Sequence, residues 1–228
     1  MNDPRWVQVD EYINGLLIPP DTALAAALAE SERAGLPSIS VSPAQGKLLH
    51  LIARAQGARH ILEVGTLGGY SAIWLARALP PGGTLTTLES NAKHADVARA
   101  NLARAGLSER VDVRVGDALE TLPQLAEESR PPFDFTFIDA DKKNNAPYFQ
   151  WALKMSRTGS LILVDNVIRG GAVVDGFSTS ADVLGVRRLN ELMAKEPRIS
   201  ATEVQTVGMK GYDGFALALV TEGFPSDG

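Results

Sequence analysis

The chain contains no cysteine. Disulfides, thiolate metal sites and a cysteine nucleophile are excluded at once. Long apolar runs are missing as well: no stretch approaches the roughly 20 residues that a membrane helix needs. Basic excess is absent. Its 22 Lys and Arg face 27 Asp and Glu, a net charge of −5, so no general electrostatic attraction to nucleic acid or to an anionic membrane is on offer. The opening MNDPRWVQVDEY is charged and has no apolar core of the secretion-signal kind. The expectation is a soluble, cytoplasmic protein.

What is present is enough apolar material for a real core, 45% of the 228 residues, and a length that suits one large domain. Residues 1–57 read as an N-terminal helical cap. Asp21 can cap a helix that Gly35 ends. Ser42, Pro43 and Gln45 form a capping-box pattern, closed by Gly57. Over residues 58–228 the rhythm changes. HILEV (60–64), TLTTLE (84–89), RVDVRV (110–115), FDFTFI (133–138) and SLILV (160–164) read as strands. Helical patterns follow each of them: Tyr70 to Leu79, a segment capped by Asn91, one after Ala118, one over 146–155, and ADVLGVRRLNELMAK. Two strands around a Gly-rich turn, TEVQTVGMKGYDGFALALV, finish the pattern. Such alternation predicts an α/β fold with a mostly parallel sheet, helices on both faces, and an antiparallel final pair.

In open α/β sheets, ligands bind beyond the carboxyl ends of the strands. The first such end reads EVGTLGGYS, Glu63 to Ser71. Gly65, Gly68 and Gly69 allow close backbone approach, and Ser71 stands at a helix start whose spare N–H groups favour a carboxylate or phosphate. Glu89 ends the second strand, about 20 residues on, where an acid commonly binds ribose hydroxyls. The glycines could equally make only a tight turn. Their spacing, E-x-G-x-x-x-G, resembles the class I S-adenosylmethionine-dependent methyltransferases. That implies a Rossmann-like, seven-stranded sheet with an antiparallel last strand. In this fold the turn GDAL (116–119) lies along the adenine.

A second constellation ends strands four and five. Asp139 and Asp141 follow FDFTFI, and Asp165 and Asn166 follow SLILV. Neighbouring parallel strands would bring both ends to one rim. Asp139, Asp165 and Asn166 then offer three oxygen ligands, a set suited to Mg²⁺, Mn²⁺ or Ca²⁺; the bland alternative is acids capping helix starts. Lys142 is a candidate general base, because like charge from a nearby cation and partial burial favour its neutral amine. Lys143 reads as a surface residue.

Together these features resemble the cation-dependent O-methyltransferases, the group of catechol and caffeoyl-CoA O-methyltransferases, over Val41 to Val220. Phe137–Lys142 matches the family's F-[IV]-D-A-D-K run, and Asp165–Asn166 its D-N pair. The resemblance implies metal ligation by Asp139, Asp165 and Asn166. It implies contacts to S-adenosylmethionine from Val41, Glu63, Gly65, Thr66, Ser71, Glu89, Ala118 and Asp139, and catalytic roles for Asp139 and Lys142. It also implies a divalent cation, Mg²⁺ first, a small phenolic or catechol-like substrate and a homodimer. Arg169 stands where plant caffeoyl-CoA enzymes carry a tryptophan, which suggests an anionic substrate group there. The substrate-binding glutamate of the animal catechol enzymes has no aligned counterpart.

His50, His60 and His94 read as structural, away from the rim. Trp6 and Tyr12 suit a pocket lid or a dimer contact, with the lid preferred, and GGAVVDGFSTS (170–180) suits a mobile flap. Three other functions stay open. Some bacterial relatives methylate a hydroxyuridine of tRNA, although the acidic charge speaks against nucleic acid here. A NAD-binding oxidoreductase would share the fold, but the Y-x-x-x-K pair of short-chain reductases is absent, with Trp74 and Ala152 at the lysine positions. A non-catalytic cofactor-binding module would have no need of three metal ligands.

Overall fold

Three local stop-and-start signals organise the N-terminal helices in the computed structural model, which describes residues 3–128 and 130–222. Helix α1 (Pro4–Leu17) is capped by Asp3. Helix α2 (Thr22–Arg33) is capped by Asp21, which accepts the Leu24 N–H at 2.9 Å. Helix α3 (Pro43–Gln56) is capped by Ser42 and stopped by Gly57, whose φ of 72° suits a residue without Cβ.

The sheet follows: β1 (His60–Val64), β2 (Thr84–Glu89), β3 (Val111–Val115), β4 (Phe133–Ile138), β5 (Ser156–Asp165), β6 (Ile199–Gly208) and β7 (Gly211–Val220). Their order is β3-β2-β1-β4-β5-β7-β6. β7 runs antiparallel to both neighbours; the other pairings are parallel. Helices α4 (Tyr70–Ala78), α5 (Ala92–Arg104), α6 (Ala118–Glu127), α7 (Asn145–Lys154) and α8 (Ala181–Lys195) connect the strands. Side chains of α2 to α5 pack on one face with Phe135 and Phe137. Those of α6 to α8 pack on the other with Ile138 and Val164. All six residues of β4 are buried, Asp134 and Thr136 included, as expected of a central parallel strand covered on both faces. The order reverses between β1 and β4, and such a switch point opens a crevice at the strands' carboxyl ends.

Two expectations need correction. β5 begins at Ser156, not Ser160. The polar SRTG carries no apolar strand pattern; its register shifts against β4, and the Ser160 hydroxyl closes the irregularity by donating to the Phe133 carbonyl at 2.7 Å. The lid preferred for Trp6 and Tyr12 does not form: α1 packs against β6 and α3, not over the crevice. Its Asp10 accepts the Met209 N–H at 2.7 Å, tying α1 to the β6–β7 turn.

Candidate functional site

The crevice is a cavity of about 580 Å³. Register places its chemistry. Val64 pairs with Ile138, and Ile138 with Val164, so the residues next in each strand path, Gly65, Asp139 and Asp165, stand side by side. Gly65 has a φ of 103°, and a Cβ there would lie 2.4 Å from the Asp139 carbonyl oxygen. Only glycine lets β1 and β4 approach this closely while keeping that backbone.

Val41, Gly65, Thr66, Ser71, Glu89, Ala118 and Asp139 all line the cavity. Glu63 is fully buried beside them. The Thr87 hydroxyl donates to its Oε2 at 2.6 Å, and the Thr66 and Thr87 hydroxyls are 2.6 Å apart. Glu63 Oε1 makes no hydrogen bond. Burial pushes the Glu63 carboxyl up to about 7, against the opposing pull of the nearby Ser71 and Thr87 hydroxyls. Glu89 is held from both sides: Leu67 N–H donates to Oε2 at 2.8 Å and Asn91 N–H to Oε1 at 2.9 Å. The reading of all three histidines as remote from the rim fails for His94. Its ring lines the cavity with Nδ1 3.5 Å from Glu89 Oε1. The missed signal was its place in the first turn of α5, directly after the β2 end.

On the other side of the crevice, Lys142 is buried and its Nζ donates to Asp139 Oδ1 at 2.7 Å. α8 holds this turn by close approach: a Cβ on Gly185 would meet the Lys142 carbonyl oxygen at 2.2 Å. Asp165 is only 5% exposed. Gln45 Nε2 donates to its Oδ2 at 2.7 Å, and Asn166 N–H to its Oδ1 at 2.9 Å. Gln45 therefore does not close a capping box; its amide reaches across to the β5 end. Burial, then the negative charge of Asp139, pushes the Asp165 carboxyl up. Asn166 has a φ of 58° and lines the cavity.

Among the described residues no three His, Cys, Asp or Glu side chains cluster to hold a metal. A cation here would rest on two carboxylates and the Asn166 amide. That donor set fits a hard divalent ion. A buried acid beside a second acid, bonded only by neutral groups, is the arrangement a cation would relieve.

Arg169 lines the cavity, but its charge is already compensated. Its Nη2 lies 3.3 Å from Asp182 and its Nη1 4.0 Å from Asp213. The expected contact to an anionic substrate group loses its motive. Beyond it, Gly171, Val173 and Val174 of the expected flap line a second cavity of about 500 Å³ against α8 and β6. Tyr148 donates to Asp141 at 2.6 Å, so Asp141 is fixed at the cavity wall. No helix among the described residues is long and apolar enough to cross a membrane.

Comparison with known proteins gives a consistent result. A family model described as O-methyltransferase matches residues 21–228. A catechol O-methyltransferase of Mycobacterium tuberculosis is 54% identical over 217 residues, covering 95% of this chain and 97% of that protein. An O-methyltransferase of Bacillus cereus, solved in complex with SAH, aligns with a TM-score of 0.95 at 56% identity, covering 96% of this chain and 99% of the other. The O-methyltransferase TomG of Streptomyces achromogenes, involved in tomaymycin synthesis and solved with SAM, aligns at a TM-score of 0.94 and 51% identity, covering 97% and 99%.

Proposed function

Because the chain belongs to the O-methyltransferase family, we propose that it moves the methyl group of S-adenosylmethionine to a hydroxyl of a small catechol-like or phenolic substrate, with a divalent cation, Mg²⁺ first. The observation that carries this reading is the meeting of Asp139 and Asp165 at adjacent strand ends beside the Gly65 turn. The named relative acts on catechol, and SAH or SAM occupies the aligned structures.

Gly65 admits the nucleoside against bare backbone. Glu89, fixed by two N–H groups, presents its remaining lone pairs to ribose hydroxyls. Ser71 and the start of α4 suit a carboxylate, and Ala118 at the start of α6 stands along the adenine side. Glu63, with an unbonded buried oxygen, suits the ammonium end. Asp139, Asp165 and Asn166 would hold the cation, which when bound polarises a substrate hydroxyl and makes its proton easier to lose. Lys142, whose Nζ stands 2.7 Å from Asp139, is the candidate base for that proton. Most of the rate gain then comes from holding oxygen and methyl in line in a shaped cavity. On α1, Val9, Tyr12 and Leu16 lie on one exposed face, which suits the homodimer that the family resemblance implies.

The test is methylation of catechol by the purified protein with S-adenosylmethionine. Turnover is expected with Mg²⁺, loss in EDTA, and recovery on adding Mg²⁺ or Mn²⁺, with undermodified tRNA inert. Full activity in EDTA would overturn the metal reading, and tRNA methylation the substrate reading.

Glu63 adds a pH dependence. A cationic ligand end favours its ionised form, so SAH binding in EDTA should tighten as pH rises towards 7, by up to about tenfold per unit, and level off above it. Glu63→Gln should flatten this profile. The stability of the ligand-free protein runs the opposite way. The folded carboxyl titrates at about 7 against 4.5 unfolded, so stability is full below the unfolded value and is lost as pH rises through 7. Calorimetric titration and thermal melts between pH 5 and 8 measure the two trends; a flat binding profile for the unaltered chain would contradict the first.

A further inference from the structure

We propose that Asp213, at the start of β7, is the positioning residue that sets the substrate side of this site, an inference that rests on reading Asn166 as a ligand there. One oxygen, Asp213 Oδ1, accepts three backbone N–H groups: Ile168 at 2.9 Å, Arg169 at 2.9 Å and its own neighbour Gly214 at 3.0 Å. The Gly214 carbonyl accepts the Val167 N–H at 3.1 Å. The three N–H groups that follow Asn166 are thus all bonded to Asp213 and Gly214, some 45 residues away in sequence.

This brace acts on a strained stretch. Asn166 and Arg169 both hold left-handed backbone, with φ of 58° and 55°. Neither has glycine's freedom, and such conformations persist only where the surroundings over-determine them. Gly214 makes the contact direct. A Cβ there would meet Ile168 Cγ1 at 2.6 Å and the Val204 carbonyl oxygen at 2.3 Å, so β7 backbone lies straight against the loop. Asp213 Oδ2 meets Arg169 Nη1 at 4.0 Å, and Arg169 reaches Asp182 beyond it. One carboxylate therefore fixes where the Asn166 amide and the Arg169 guanidinium stand. Asp213 does not line the cavity itself. The wall of Gly65, Glu89 and Ala118 belongs to the β1–β3 side of the sheet and makes no hydrogen bond to it.

Loss of the brace should separate the two halves of the site. The experiment compares Asp213→Ala, Asp213→Ser and Asp213→Asn with the unaltered chain. It uses Mn²⁺ titration of the SAH-saturated protein, SAH titration, and KM for catechol and for S-adenosylmethionine. Asp213→Ala and Asp213→Ser should weaken Mn²⁺ binding about 10-fold or more, as loss of groups that orient ligands commonly does. KM for catechol should rise, while SAH affinity and KM for S-adenosylmethionine stay within about threefold. Asp213→Asn keeps an oxygen acceptor for the N–H groups and should restore Mn²⁺ affinity to within about threefold of the unaltered chain. Unchanged Mn²⁺ binding in Asp213→Ala overturns the inference. So does equal loss of Mn²⁺ and SAH binding, or failure of both the alanine and serine variants to fold, since either assigns Asp213 to general stability. Absence of Mn²⁺ binding in the unaltered chain is a separate outcome, which removes the metal reading itself and the inference with it.

Discussion

Asp165→Ala is expected to lower catechol methylation by about 10²-fold or more, the scale on which loss of a group that stabilises developing charge is felt. SAH affinity should change by less than about threefold, because the cofactor wall lies on the far side of Gly65. Asp165 is buried, accepts from Gln45 and Asn166, and stands beside Asp139. Alanine leaves both donors without an acceptor, so the isosteric Asp165→Asn is the cleaner companion. It removes the charge and keeps the volume. Burial and Asp139 push the Asp165 carboxyl up, so its ionised form costs stability as pH rises. Asp165→Asn should therefore melt no lower than the unaltered chain at pH 8 in EDTA, while activity is still lost. A variant that melts well and methylates normally would remove Asp165 from the site.

Gly65→Ala should damage both halves at once. Its φ of 103° is costly for any residue with a Cβ, and that atom would lie 2.4 Å from the Asp139 carbonyl oxygen and 2.8 Å from its carbon. Backbone cannot swing away as a side chain can. Strain and overpacking together come to about 2–4 kcal/mol, or a fall in melting temperature of about 5–15 °C for a chain of this length. SAH binding should weaken by more than about tenfold, and restoring it by raised ligand concentration should not restore the rate, because Asp139 is displaced too. Isothermal titration with a thermal melt decides it; a variant with the affinity of the unaltered chain would show that the close approach is dispensable.

Much of this site was legible in the chain because its residues sit where apolar runs stop. FDFTFI and SLILV are strands by their β-branched and aromatic content, and Asp139, Asp165 and Asn166 are simply what comes next. The turn after Val64 announced itself by glycines that local backbone geometry demands. The residues that stayed hidden act across long separations. Gln45 looked like half of a helix cap, yet its amide reaches Asp165, 120 residues away. Asp213 stands at the entry to the last strand with no local sign that it braces Ile168 and Arg169. Gly185 lies inside a plain helical pattern, yet its missing Cβ lets α8 touch the Lys142 backbone. SRTG falls outside the expected strand because it is polar and its register against β4 is irregular.

Periodicity and backbone conformation are local properties, so the alternation of strand and helix, the Gly-rich turn and the acids at two strand ends can be read along the chain. The partnering of the charges belongs to the fold. It gave Gln45 to Asp165 and Arg169 to Asp213. Those assignments depend on distances of a few ångströms between residues far apart in the chain. The register of β4 against β5 and β5 against β7 sets those distances, and no local pattern contains them.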